Sequence, residues 1–168
     1  MNRIILLSFC ILFSTFVFAQ KAEKKSRKTL KAEHEVLIAA KVDSILNSKS
    51  FVFVAHSASP VQMQTVQLSS QYDLRVKADS VMVYLPYYGR VYQVNPLSEG
   101  GIKLNNTMEG YTVEQRMNLY IIKFKASSEY DVYNFQLSVS KMGYCTLHVI
   151  SNYRQPISYS GVLDNLGL

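Results

Sequence analysis

The sequence contains no tryptophan and only two cysteines, Cys10 and Cys145. Cys10 falls in an N-terminal segment with the layout of a signal peptide, so the mature chain would keep Cys145 alone and form no internal disulfide bond. An exported domain without disulfides relies on its hydrophobic core. Cys145 alternates with Leu147 and Val149, and no neighbouring Lys, Arg or helix start would lower the pKa of its thiol. We therefore expect Cys145 to be a small buried hydrophobic residue, with a reactive thiol as the alternative.

The sequence also lacks the patterns that carry common chemistries. Its three histidines, His34, His56 and His148, fall on separate predicted elements without the spacing of metal ligands. There is no Gly-x-Ser-x-Gly elbow and no glycine-rich phosphate loop. Most carboxylates of the predicted domain fall in turns or on solvent-facing strand positions. We therefore predict no metal site, no cofactor and no enzymatic activity.

Residues 1–19 have the three parts of a secretory signal peptide. Arg3 gives a positive start, residues 4–18 are almost wholly apolar, and Ala19 precedes the cleavage site. An uncleaved anchor is the alternative, but the apolar run is shorter than the roughly 20 residues that a membrane span needs. Lipid attachment at Cys10 is disfavoured because the bulky Phe9 directly precedes it. We predict an exported protein, periplasmic or associated with the cell envelope, with no membrane span in the mature chain.

The formal net charge of +6 is concentrated in residues 20–31. This segment is rich in Lys and Arg and has almost no apolar side chain, so we predict a basic, mobile leader. The basic residues are not interleaved with aromatic ones, and an exported chain seldom meets nucleic acid, so we expect no nucleic-acid partner. Residues 32–168 then form a single β-rich domain with an N-terminal helix.

The hydrophobic period changes near Ser50. Residues 20 to about 50 contain no Gly or Pro, and Ile38, Val42 and Ile45 recur at helical spacing. After Ser50 the period is two, with the cleanest alternation over residues 66–76. The other predicted strands are 51–55, 81–85, 90–94, 102–107, 111–117, 119–126, 132–141, 144–150 and 157–163. About nine or ten strands with short connections predict a mainly β fold, an antiparallel sandwich or barrel with one N-terminal helix.

The stretch at residues 84–92 combines four tyrosines with Pro86, Gly89 and Arg90. Proline belongs at a strand end, edge or bulge, and glycine permits a positive φ or a close backbone approach, so we expect a sharp change of direction here. Tyrosine offers a large contact area with a polar tip. The candidate ligand-binding residues are those at the bend and in the last loop: Tyr87, Tyr88, Arg90, Tyr153 and Arg154. In the alternative interpretation the tyrosines brace the core, and we expect Tyr84 and Tyr92 to face inward.

Four stretches carry a resemblance to a known family: residues 51–60 (FVFVAHSASP), 84–92 (YLPYYGRVY), 100–102 (GGI) and 152–161 (NYRQPISYSG). In combination they resemble the domain-of-unknown-function family 4251, over roughly residues 42–163. The resemblance implies a small exported or envelope-associated protein of Gram-negative bacteria. Some relatives carry a lipoprotein signal, and this chain departs from them there. The resemblance implies no activity.

Three functions remain open at this point. The first is a non-enzymatic module that binds a glycan, a peptide or a small aromatic molecule at the Tyr/Arg-lined bend. The second is a structural or protein-interaction factor of the envelope, docking through its helix or a sheet edge. The third is a hydrolase without a recognisable motif, which would need a pocket that holds two carboxylates or a carboxylate beside His56 or His148.

Overall fold

The structure is a computed structural model that describes residues 27–93 and 100–164. The predicted signal peptide, residues 20–26 of the predicted leader and most of the predicted loop at residues 95–101 lie outside the described residues. The chain divides into two compact units, which meet between Leu37 and Ile38 in sequence.

The helix α1 spans residues 27–47. Its residues 27–37 belong to the first unit. In the second unit, Ile38, Val42 and Leu46 are buried in the core cluster, with Ile45 partly buried beside them. The apolar face predicted from helical spacing is therefore confirmed for this part of the helix. Among the described residues of α1, the first buried side chain is Ile38, whereas Leu30 is 62% exposed.

Eight strands follow: β1 Ser50–Pro60, β2 Val66–Lys77, β3 Ser80–Pro86, β4 Gly101–Arg116, β5 Leu119–Ser127, β6 Val132–Ser140, β7 Tyr144–Ser151 and β8 Ile157–Leu163. Each strand pairs antiparallel with the next, and β8 pairs with β1, so the sheet closes into a barrel. Closure satisfies the edges that an open sheet would expose. The prediction of a mainly β, antiparallel fold is confirmed, as a barrel.

The predicted count of nine or ten strands is wrong for two local reasons. Described residues of the predicted strand 90–94 form no strand, and Val91 makes only an isolated bridge with Arg154. The predicted strands 102–107 and 111–117 are one strand, β4, whose register shifts between Glu109 and Thr112. Gly110 there has a φ of 63°, a conformation that serves a bulge as readily as a turn.

Two further predictions fail at one irregularity. β1 continues to Pro60 instead of ending near Ala55, and its register with both β2 and β8 shifts between Ala55 and Ser57. Opposite this shift, the alternation of β2 breaks, because most residues from 66 to 71 are exposed and alternate burial returns only near Leu74. A bulge bends a strand and interrupts its ladder of hydrogen bonds. This explains both why β1 continues past Ala55 and why the alternation of β2 breaks opposite the shift.

Side chains from every strand meet inside the barrel in one hydrophobic cluster. An eight-stranded barrel has an interior just wide enough for side chains to fill. Tyr159, Phe53 and Phe135 are the largest fully buried side chains. Cys145 is also buried, as predicted; its Sγ lies 3.3 Å from the Gly143 carbonyl oxygen, and burial raises the pKa of the thiol to about 12.

The two ends of the barrel differ. One end, here called the loop end, carries the described parts of the connections that follow β1, β3, β5 and β7, at residues 61–65, 87–93, 128–131 and 152–156. The other end carries the short turns between β2 and β3, β4 and β5, and β6 and β7, together with residues 38–47 of α1. Both stretches that contain the candidate residues therefore belong to the loop end.

Candidate functional site

A short ribbon crosses the loop end. Residues 90–92 run antiparallel to residues 153–155, with Val91 opposite Arg154. The Tyr92 N–H donates to the Tyr153 carbonyl at 2.7 Å, and the Gln155 N–H donates to the Arg90 carbonyl at 3.0 Å. This register sets Tyr92 opposite Tyr153, and residues opposite one another in an antiparallel pair share a face.

The two faces of the ribbon have different surroundings. Tyr92 is 67% exposed and Tyr153 is 38% exposed, and Arg90, two residues before Tyr92, is exposed as well. Because side chains alternate along an extended strand, Val91 and Arg154 project to the other face. The first face thus presents two tyrosines and one arginine to solvent, whereas on the other face Val91 is 41% exposed and Arg154 is partly buried.

The side chain of Arg154 lies on the barrel side of the ribbon and stabilises it there. Its guanidinium lies 5.1 Å from the centre of the Tyr87 ring, and its Nη1 donates to the Gly101 carbonyl at 2.7 Å. Gly101 begins β4, so this side chain connects the last loop to a barrel strand. A guanidinium over an aromatic face and a charge-assisted hydrogen bond are both stabilising contacts.

Tyr87 connects the loop that follows β3 to the loop between β7 and β8. Its hydroxyl lies 2.9 Å from the carbonyl oxygens of both Arg90 and Gln155, so its single hydrogen serves two acceptors. Burial raises the pKa of this hydroxyl, and the charge of Arg154 opposes the rise. The ring folds back over Gly89, where a Cβ would lie 2.6 Å from Tyr87 Oη. The structure therefore shows a close approach at Gly89, made by the ring of Tyr87 to the Gly89 backbone.

Asp131 joins the remaining loop to this arrangement. It is a buried charged residue, and its Oδ1 accepts hydrogen bonds from the N–H groups of Val132 at 2.8 Å and Asn152 at 3.1 Å. Asn152 directly precedes Tyr153, so Asp131 fixes the start of the ribbon's second half. Burial raises the pKa of the Tyr133 hydroxyl, which lies two residues further along the chain than Asp131.

Below the ribbon lies a shallow depression, partly open to solvent, that has no room for a water molecule between its side chains. It is lined by Tyr87, Ile102, Tyr133, Val149, Ser151, Arg154, Gln155 and Ile157. The Ser151 hydroxyl is buried there without a hydrogen-bond partner. Since side chains fill this space, a ligand at this end would bind to the outer face of the ribbon.

The five candidate residues come together at the loop end, but in different roles. Arg90 and Tyr153 are exposed on the ribbon, whereas Tyr87 and Arg154 make the internal contacts described above. Tyr88 is partly buried and packs against the core. Sequence reasoning missed Tyr92 as a surface residue.

The expectation that Tyr84 and Tyr92 face inward is wrong. Tyr84 is 47% exposed and stacks on Tyr72, with ring centres 5.4 Å apart, and the ammonium of Lys103 lies 5.4 Å from the centre of the Tyr84 ring. The inward positions of β3 are Val81, Val83 and Leu85, so period two alone puts Tyr84 outside. β3 ends at Pro86, and Tyr92 lies beyond it, in a segment whose partner is distant in sequence.

Replacing Gly89 with Ala should lower the stability of the protein by about 1–2 kcal/mol, through a steric clash and loss of the Tyr87 hydrogen bonds. The new methyl group would meet Tyr87 Oη and Cζ, which lies 2.9 Å away. The ring would have to leave its two carbonyl partners. Urea denaturation of the wild type and the variant measures the difference.

A double-mutant cycle tests the cause of this loss. Once Tyr87 is replaced by Ala, the methyl group has no ring to meet, and φ at Gly89 is not positive. Gly89→Ala should then cost less than about 0.5 kcal/mol in the Tyr87→Ala background. An equal cost in both backgrounds would show that the backbone of Gly89, and not its contact with Tyr87, matters.

Two classes of feature are missing from the described residues. No group of three His, Cys, Asp or Glu side chains among them is placed to hold a metal ion. Within the same residues, no helix combines the length and the hydropathy that crossing a membrane requires.

The fold and the site define a class: a small closed antiparallel barrel with a packed interior, an N-terminal helix and a Tyr/Arg ribbon on one end. The sequence profile of the domain of unknown function DUF4251 matches residues 33–163. The chain belongs to this family, as its motifs suggested.

Comparison with solved structures supports the fold. The crystal structure of a DUF4251 family protein from Bacteroides eggerthii aligns with a TM-score of 0.61, covering 76% of this chain and 87% of that one. The sequences are 15% identical over this alignment, a level at which the likeness shows the fold alone. No curated protein matches the sequence.

Proposed function

We propose that this protein is an exported, non-enzymatic module of the cell envelope that binds a glycan on the solvent face of the ribbon. The observation that carries the proposal is the cross-strand pairing of Tyr92 with Tyr153, both exposed, with the exposed Arg90 two residues before Tyr92. The predicted signal peptide at residues 1–19 supports export. The packed space beneath the ribbon favours binding at the surface.

A glycan fits this surface better than a peptide or a small aromatic molecule. Tyrosine rings offer flat apolar faces for the C–H side of a sugar, while phenol and guanidinium groups donate hydrogen bonds to its hydroxyls. A peptide is usually recognised by an apolar groove or a free sheet edge, and a small molecule by a concave pocket. The depression below the ribbon, already filled by side chains, provides neither.

The ribbon is also rigid enough to present these rings. The Tyr87 hydroxyl hydrogen-bonds to the Gln155 carbonyl, and Arg154 connects the ribbon to the Gly101 carbonyl. The Asp131 carboxylate accepts from the N–H of Asn152, just before the ribbon, and the Gln155 N–H donates to the Arg90 carbonyl. A tyrosine has few torsions to immobilise on binding, and an anchored backbone lowers the ordering cost further.

Replacing Tyr92 or Tyr153 with Ala should weaken glycan binding about tenfold, which corresponds to roughly 1.4 kcal/mol. The thermal midpoint should stay nearly unchanged, because substitutions of exposed side chains usually alter stability by less than about 0.5 kcal/mol. Calorimetric titration of the purified protein with a panel of soluble oligosaccharides, neutral and acidic, measures binding. The same panel includes an extended-peptide library and small aromatic acids.

Tyr144→Ala is the matched control, because Tyr144 on β7 is 64% exposed and lies at the other end of the barrel. It should bind the panel as the wild type does. Binding of peptides or aromatic acids alone would refute the glycan proposal. A large fall in thermal midpoint for Tyr92→Ala would instead assign the ring a structural role.

A further inference from the structure

The Arg90 side chain differs from the other charged groups of the loop end. It is exposed, and it makes no hydrogen bond or ion pair with the residues that the structure describes. Its backbone is nevertheless held: the N–H donates to Gln155 Oε1 at 3.3 Å, and the carbonyl accepts from the Gln155 N–H and the Tyr87 hydroxyl. An anchored backbone thus carries a guanidinium whose charge is not matched by any described carboxylate.

The nearby charges are already engaged. The carboxylate of Asp131 is buried and accepts from Val132 and Asn152, and Arg154 contacts the Gly101 carbonyl and the Tyr87 ring. Glu129, in the loop between β5 and β6, lies beside Tyr130, and its carboxylate raises the pKa of the Tyr130 hydroxyl. The Arg90 guanidinium has no carboxylate partner among the described residues. Its charge is therefore available for a ligand.

Arg90 and Tyr92 stand two residues apart in the segment that pairs with residues 153–155, and in an extended chain this spacing is about 6.6 Å. That distance matches a hexose ring lying on Tyr92 with an acidic substituent directed toward Arg90. The planar guanidinium fork binds a carboxylate through two parallel hydrogen bonds. A neutral sugar would leave this fork without an anionic partner.

We infer that the ligand is an acidic glycan, a chain of sugars with carboxylate groups, in which one carboxylate binds Arg90 while a ring stacks on Tyr92 and Tyr153. This inference rests on the proposed function and names its substrate class. Arg90 then discriminates between acidic and neutral sugars, and the two tyrosines bind both kinds of sugar.

The test uses two probes with one backbone: hexagalacturonate and its fully methyl-esterified form, which has no charge. The acid should bind the wild type at least tenfold more tightly than the ester. Arg90→Gln should remove this preference, so that acid and ester bind alike, and Arg90→Lys should keep part of it, because Lys retains the charge without the fork. Raising NaCl from 0.05 to 0.5 M should weaken binding of the acid only.

The outcomes separate the two claims. Equal binding of acid and ester to the wild type would overturn the inference while leaving glycan binding intact. Binding of neither probe, together with no binding of the oligosaccharide panel, would overturn both. Unchanged acid preference in Arg90→Gln would show that another cation selects the ligand, contrary to the role assigned to Arg90. The thermal midpoints of both Arg90 variants, expected to equal that of the wild type, exclude a folding defect.

Discussion

Gly161→Ala should destabilise this protein by about 3 kcal/mol or more, the upper part of the range for overpacking, because the added group collides with backbone and not with a mobile side chain. Gly161 lies in β8 opposite Ala55 of β1. A Cβ on Gly161 would overlap the Val54 carbonyl oxygen and lie 3.0 Å from Ala55 Cα. The thermal midpoint should fall by roughly 10 °C.

The bulge in β1 explains why the strands approach so closely here. The register of β1 with β8 shifts between Ala55 and Ser57, next to Gly161. A bulge bends its strand, and at this point the bend brings the β1 backbone against β8. Any side chain at position 161 would push β1 and β8 apart at the seam where the first and last strands close the barrel.

Gly110→Ala is the matched control, since it adds the same methyl group to another bulge. Gly110 has a φ of 63°, and a Cβ there would meet nothing within 4 Å. Gly110→Ala should lower the stability by only about 1–2 kcal/mol, the energy that a residue with a Cβ needs to adopt a left-handed conformation. If Gly161→Ala cost no more than Gly110→Ala in urea denaturation, the collision at the closing seam would be disproved.

The strands of the C-terminal half were predictable because their signals are local. In β6 apolar and polar residues alternate from Tyr133 to Ser140, and burial alternates through β5, β6 and most of β7. Short connections close these strands. The buried face of α1 followed from the spacing of Ile38 and Val42 for the same reason. Where the period of the sequence equals the period of the structure, burial can be assigned residue by residue.

The irregularities of the barrel were not predictable in this way. Gly110 was interpreted as a turn between two strands, although a glycine at positive φ serves a bulge equally well. The shift at Ala55 and Ser57 depends on the pairing of β1 with two other strands at once. Such features are set by closure of the barrel, and no short window of sequence contains that information.

Only part of the candidate site was predicted, because the rest depends on how two segments distant in sequence pair with each other. The Tyr/Arg content of both loops indicated the correct end of the barrel. Which side chains face solvent depends on the register between residues 90–92 and 153–155, and a shift of one residue would exchange the two faces. Tyr92 was therefore assigned to the core, while Arg154, proposed to bind ligand, lies beneath the ribbon.

Arg154→Ala should lower stability by about 3 kcal/mol, in contrast to a surface arginine. The substitution removes a charge-assisted hydrogen bond to the Gly101 carbonyl, worth about 1.5–3 kcal/mol, and a cation–π contact with Tyr87, worth about 0.5–1 kcal/mol. It also opens space in the depression lined by Ile102 and Ile157. Urea denaturation, followed by a far-ultraviolet signal, measures the loss.

Arg90→Ala, at the neighbouring end of the same ribbon, is the matched control. Its exposed side chain makes no hydrogen bond, ion pair or ring contact with the described residues, so its free energy of unfolding should equal that of the wild type within about 0.5 kcal/mol. The two variants should distinguish the two faces of the ribbon. Arg154→Ala should lower the stability and affect binding only indirectly, whereas Arg90→Ala should weaken binding and leave the stability unchanged. A stable Arg154→Ala protein that no longer binds hexagalacturonate would reverse this assignment and place Arg154, with Arg90, in direct contact with the ligand.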